Sequence, residues 1–176
     1  MRSWVPVPGT TTGRLVAAAL ELFGAHGFTS VAVGTIAEHA GVTTGSLYHH
    51  FGSKLGLYEV VRTDVEQRVL DRIEGAASLR TVRTLADLSP VLLVGFDYLV
   101  NSGFARLLGE PFPGPLDVDR PSDGIERLIA RLLATENVPL EQLVAAAWRV
   151  ALWHASNGAQ SVGAARAALE LLLAGD

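Results

Sequence analysis

From Thr43 to Lys54 the chain reads TTGSLYHHFGSK, a set of hydroxyls, a glycine, a tyrosine, two histidines and a lysine. Such groups can approach base edges and phosphates; they do not form a bond-cleaving set. Thr43 is placed to cap a helix with its hydroxyl. Within that helix Leu47 and Phe51 are four residues apart and face inward, which leaves Thr44, Gly45, Tyr48 and His49 outside. A small, polar and aromatic strip of this kind suits the major groove, with the N-terminal residues of the helix nearest the base edges. Gly52 ends the helix, Ser53 can cap a new one, and Lys54 falls in the first turn of that new helix. A cation there sits at the wrong end of the helix dipole, and a DNA phosphate is the partner that would relieve it. Lys54 is also the only lysine in the chain.

Other chemistries fit less well. His49 and His50 are adjacent, so on a helix they point about 100° apart, and no cysteine or carboxylate stands at ligand spacing. A hydrolase or transferase would need a nucleophile beside a base. The chain has no cysteine, no G-x-S-x-G and no glycine-rich phosphate loop after a strand. No enzyme activity, cofactor or metal is expected.

The elements that must position the strip are all helical, since no segment alternates like a strand. A first helix from about Thr12 to His26 buries Leu15, Ala18, Ala19, Leu22 and Phe23 and closes at Gly27. Phe28 and Val31 should be core. Thr35 to Tyr58 then read as two short helices set at an angle by a turn at Gly41, followed by a third: a helix-turn-helix. From Ser53 a long helix runs without a breaker to about Gly75. LRTVRTLADL is expected to be a short helix, and Ser89-Pro90 to cap a buried helix that Gly103 divides. Pro111 to Pro121 form a long connection and a candidate flap. Ser122 or Asp123 should cap the next helix, which Asn137 closes; Pro139 opens another, and the last spans Val162 to Leu173. The expected architecture is all-α, with a helix-turn-helix head over residues 1–52 and a helical body over 53–176.

At these positions the chain resembles the DNA-binding domain of the TetR family of bacterial transcriptional repressors. The likeness covers about Thr12 to Val61, with IA…AGV, G-x-L-Y-x-H-F and x-S-K-x-x-L in unbroken register. It implies base contacts from Thr44, Gly45 and His49 and phosphate contacts from Tyr48, His50 and Lys54, with Thr43 part of the same DNA-binding set. Two departures stand out. Where the family shows a hydroxyl cap followed by a basic and an acidic residue, this chain has Ala32, Val33, Gly34 and Thr35; Leu55 and Gly56 replace a polar pair.

Charge agrees with a reader of DNA on a non-sticking body. The formal net charge is −4, yet residues 1–62 hold four basic groups against three acidic ones, plus four of the five histidines. Weak non-specific binding follows. The first nine residues lack the apolar core of a signal peptide, and no apolar run approaches the roughly 18 residues of a membrane span. A cytoplasmic protein without a membrane partner is expected.

The leading expectation is a ligand-responsive repressor that binds double-stranded DNA at a palindromic operator and is released by a small organic effector. The alternative is a helical adaptor that keeps a weakened DNA-binding head. A homodimer is expected through the last two helices, whose Ala145, Ala146, Ala147, Ala164, Ala165, Ala167 and Ala168 offer smooth faces. The effector, apolar or aromatic, is expected in a pocket of the body. Phe96, Tyr98, Phe104, Trp148 and Trp153 would supply flat surfaces, and Asp97, Asn101 and His154 would orient a polar end.

Overall fold

A computed structural model of the chain describes residues 9–114, 124–134 and 139–174. Among them there is no strand. The flap expected beyond Gly114, the caps expected at Ser122 or Asp123, and the stop at Asn137 lie outside the described residues. The described residues fall into two units, one up to Asp64 together with Phe112–Gly114, the other from Val65 to Pro111 and onward from Gly124.

The first unit begins with α1, Thr11–Ser30. Thr10 caps it, its hydroxyl accepting from the Gly13 N–H at 3.0 Å. The expected stripe is inside, with Leu15, Ala19 and Phe23 fully buried. Gly27 has φ 78°, so the helix kinks there and its last residues set off in a new direction toward Val31. Then come α2, Val33–His39, and α3, Thr44–Phe51. The unit is completed by the start of α4, Lys54–Ser78, which buries Leu57, Tyr58 and Val61. Tyr58 meets Phe23 edge-on at 5.1 Å and Phe28 at 5.0 Å, and Phe112 lies 6.3 Å from it. This aromatic core moves the boundary expected after Gly52 to Asp64, because the first turns of α4 are part of the head's interior.

In the second unit the remainder of α4 is joined by α5 (Leu85–Asn101), α6 (Ala105–Gly109), α7 (Gly124–Leu133), α8 (Leu140–Ala155) and α9 (Ala159–Ala174). Residues 79–84, expected to begin a short helix, are not helical. Thr84 forms a reciprocal capping box with Asp87, so α5 starts there and Pro90 lies inside it. Pro90 is exposed, which leaves the carbonyl it cannot pair open to water. The Arg83 N–H, then the Thr84 hydroxyl and N–H, hold the Asp87 carboxyl below its usual range. Its contribution to stability is present above the ordinary carboxylate range and is lost as pH falls through the lowered one.

The centre of this unit is α8, packed on α5, α6, α7 and α9. Trp148 is fully buried and its indole N–H donates to the Leu92 carbonyl at 3.1 Å. Two glycines permit close helix approach. A Cβ at Gly95 would stand 2.7 Å from Ile73 on α4, and one at Gly109 would stand 2.5 Å from the Trp153 backbone nitrogen on α8. The N-terminus of α7 is capped from α4, with the Gly124 N–H donating to Glu66 Oε1 at 2.9 Å, and Arg131 pairs with Glu74. Glu126 pairs with Arg149 at 3.6 Å; burial first, then the charges of Glu141 and Glu66, push its carboxyl up.

Candidate nucleic-acid interface

The turn between α2 and α3 is built as the sequence indicates. Gly41 takes φ 63°, its N–H donates to the Glu38 carbonyl at 3.0 Å, and the Val42 N–H reaches the Ala37 carbonyl at 2.9 Å. Arg14 of α1 aims its guanidinium at the Gly41 carbonyl at 3.4 Å. Thr43 caps α3: its hydroxyl accepts from the Ser46 N–H at 3.2 Å and lies 3.1 Å from the Ser46 hydroxyl. Gly52, at φ 71°, ends α3 with its N–H on the Tyr48 carbonyl at 2.9 Å.

These stops leave a helix of two turns anchored on one side by Leu47, which is fully buried, and Phe51, half-buried. Its other side is uncovered. Thr44, Gly45, His49 and His50 are exposed, and Tyr48 shows 52% of its surface. The His49 and His50 rings lie 5.1 Å apart, and His50 also approaches the Phe51 ring at 6.3 Å. The six expected contact residues from Thr43 to His50 therefore share one accessible helix, with Thr43 doubling as its cap. Ala32 begins α2 without a side-chain cap bond, consistent with the missing hydroxyl; His39, near the other end of α2, pairs with Glu21 of α1 at 3.0 Å.

Lys54 is engaged within the head. Its ammonium donates to the carbonyls of Phe28 at 2.9 Å and Val31 at 3.0 Å and sits 4.1 Å from the centre of the Phe28 ring. The cation expected on a phosphate thus has a second role at the C-terminal end of α1, where unpaired carbonyls and the negative end of the dipole attract it. Ser53 keeps its expected role, its hydroxyl accepting from the Gly56 N–H at 2.9 Å. Gly56 was missed. A Cβ there would overlap the Phe51 carbonyl oxygen, so the replacement for a family polar residue is what lets the end of α3 approach the start of α4.

In the second unit the residues expected to line a pocket are only partly together. Phe96 and Trp148 are fully buried. Tyr98 is half-buried with the Arg72 guanidinium 3.6 Å over its ring, Trp153 has Arg106 at 5.3 Å, and Phe104 is half-buried ahead of α6. The polar trio does not converge. Asp97 pairs with Arg166 at 3.1 Å, while Asn101 and His154 are exposed. Charged and amide groups at those helix positions find solvent or an arginine more cheaply than an apolar interior.

The alanine faces divide likewise. Ala145 and Ala165 are buried within the subunit, which removes them from any contact between copies. Ala146, Ala164, Ala167 and Ala168 are exposed and Ala147 is half-buried. The larger signal is in Leu143 and Val150 on α8 and Leu171 and Leu172 on α9, which expose 65%, 55%, 79% and 55% of their surface.

A short helix held by its inner face at the end of a fixed turn, on a three-helix platform, defines a helix-turn-helix head on a helical body. Residues 15–61 match the family described as bacterial regulatory proteins, tetR family. Over these residues the head is similar to the DNA-binding region of the TetR family of bacterial regulators. It is 42% identical over 72 residues to the HTH-type transcriptional regulatory protein RaaS of Mycobacterium tuberculosis, a stretch covering 41% of this chain and 32% of that protein. The chain thus spans about a third of the length of the curated relatives it matches. Solved structures carry the likeness of fold through the body. One is a putative tetR family transcription regulator from Shewanella sp. PV-4, with TM-score 0.69, 22% identity, and 93% of this chain and 96% of that one covered. Another is the transcriptional regulator FadR from Bacillus subtilis in complex with stearoyl-CoA, with TM-score 0.62, 18% identity, and 93% and 98% covered. These relatives are named as regulators, not enzymes. No helix among the described residues is long and apolar enough to cross a membrane.

Proposed function

We propose that the chain is a DNA-binding transcriptional regulator, a repressor that leaves a palindromic operator when a small organic effector binds its body. The observation that carries this reading is the uncovered face of α3, with Thr44, Gly45, Tyr48, His49 and His50 outside while Leu47 seals the other side. The N-terminal turn presents the smallest side chains, which suits close approach to base edges. A palindrome requires two-fold symmetry, and the exposed apolar rows of α8 and α9 support a dimer built there.

Selection from random duplexes should enrich a palindrome with half-sites about one helical turn apart, or a multiple of that. Gly45→Ala should lower affinity for that site by about tenfold or more, since a methyl group intrudes where the backbone nears the bases, on the order of one lost base contact. The head should stay folded, because a Cβ at Gly45 meets only the Thr43 hydroxyl, at 3.7 Å. The pair Leu143→Glu and Leu171→Glu should give a folded monomer by light scattering that no longer selects the palindrome. Failure to bind any duplex would instead leave the adaptor reading, which the bare Ala32 cap favours.

For the effector, the buried apolar faces of α5, α7 and α8 around Phe96 and Trp148 support a mainly apolar ligand. That a protein of the same fold is seen with stearoyl-CoA supports starting with long acyl compounds. An effector must prefer one state of the protein to shift DNA affinity. Compounds that raise the melting temperature should therefore include some that also lower operator affinity; a set that stabilises without touching DNA binding would break the proposed coupling.

A further inference from the structure

From Val33 to Ser53, the whole of α2, the turn and α3, the chain has no lysine or arginine. The cations nearest this stretch are engaged elsewhere: Arg14 with the Gly41 carbonyl, Lys54 with the carbonyls of Phe28 and Val31. Arg62 of α4 lies 6.0 Å from the Phe112 ring. A duplex met by α3 therefore finds neutral hydroxyls, a phenol and two imidazoles. Only the imidazoles can acquire positive charge.

We infer that DNA binding by this head is coupled to proton uptake at His49 and His50, so that affinity for duplex DNA rises as pH falls through the histidine range. The inference rests on the reading of α3 as the DNA-facing helix. Histidine is the side chain whose charge changes between about pH 5 and pH 8, and a row of phosphates favours its charged form. Both rings are exposed at the C-terminal half of α3, and neither makes a hydrogen bond or ion pair among the described residues. The surrounding elements hold the other charged and titratable groups. From α1 these are Arg14, Glu21 and His26; from α2, Glu38 and His39; from the part of α4 in the head, Lys54, Tyr58, Glu59, Arg62 and Asp64; on α3 itself, Tyr48. Glu21 and His39 are paired with each other, and among the described residues no carboxylate is bonded to either ring of the His49–His50 pair.

Fluorescence anisotropy with a duplex enriched at neutral pH tests this, alongside an unselected duplex. Affinity should fall by about tenfold or more between about pH 6 and pH 8. The slope of log affinity against log salt should be steeper at the acid end by about 0.9 for each phosphate neutralised. Calorimetry in two buffers of different ionisation enthalpy should show net proton uptake on binding. His49→Gln with His50→Gln should flatten the pH profile and remove the extra salt dependence, while His26→Gln and His39→Gln retain both. Far-UV circular dichroism over the same range separates binding from unfolding. Should the double variant not bind, the single variants, each expected to lose part of the slope, and the proton count of the native protein decide. Binding that is flat with pH, or a slope that survives the double variant, overturns the inference and leaves the DNA-binding reading standing; no binding to any duplex overturns that reading itself.

Discussion

Gly56→Ala should destabilise the head by about 2 kcal/mol, whereas Gly75→Ala in the same helix should stabilise the protein by up to about 1 kcal/mol. Alanine is ordinarily the better helix former, so propensity alone gives both changes the same sign. Position decides otherwise. A Cβ at residue 56 would overlap the Phe51 carbonyl oxygen, a backbone atom that can yield only if the end of α3 shifts against the start of α4. A Cβ at residue 75 meets nothing within 4 Å. Hydrogen exchange of the α1 to α3 amides reports the head separately from the body, which matters in a chain of two units where a single melting temperature mixes two events. Equal signs for the two substitutions would show that the α3 to α4 approach is slack.

Lys54→Met should cost about 3 kcal/mol or more of head stability, since hydrogen bonds to a charged donor contribute about 1.5 to 3 kcal/mol each and this half-buried side chain makes two. Methionine keeps much of the apolar stem while leaving the Phe28 and Val31 carbonyls and the Phe28 ring without their cation. Faster exchange should appear at the C-terminal end of α1. The salt dependence of duplex binding should be that of the native protein; a slope lowered by about one unit would restore the phosphate role that the position of Lys54 first suggests.

The head was legible because its determinants are local. Capping hydroxyls at Thr43 and Ser53, glycines at 41 and 52, and the Leu47 to Phe51 spacing each act within about one turn of helix, and each stands where expected. The partners of Lys54 are 23 and 26 residues away and are backbone atoms, so no side-chain pattern marks them. Tyr58 escaped notice for the same reason, its ring being held by Phe23, Phe28 and the distant Phe112. The start of α5 was a choice between two adjacent signals. Ser89-Pro90 was the more conspicuous, but the Thr84 box satisfies two backbone donors while an exposed proline costs the helix only one solvated carbonyl. In the body, spacing identified the helices but not which face each would bury. Ala145 and Ala146 are neighbours in sequence with opposite fates, and Asp97 depends on an arginine 69 residues later.

A dimer through the apolar rows on α8 and α9, as proposed above, would also make copy number a thermodynamic variable. In the proposed dimer another copy would cover Leu143, Val150, Leu171 and Leu172, and by mass action the stability so gained would grow as the protein accumulates. Newly made chains at low abundance would then be the fraction most open to proteolysis, and the pool would protect itself as it fills. Small changes in synthesis would thereby be amplified into larger changes in the amount of protein that persists.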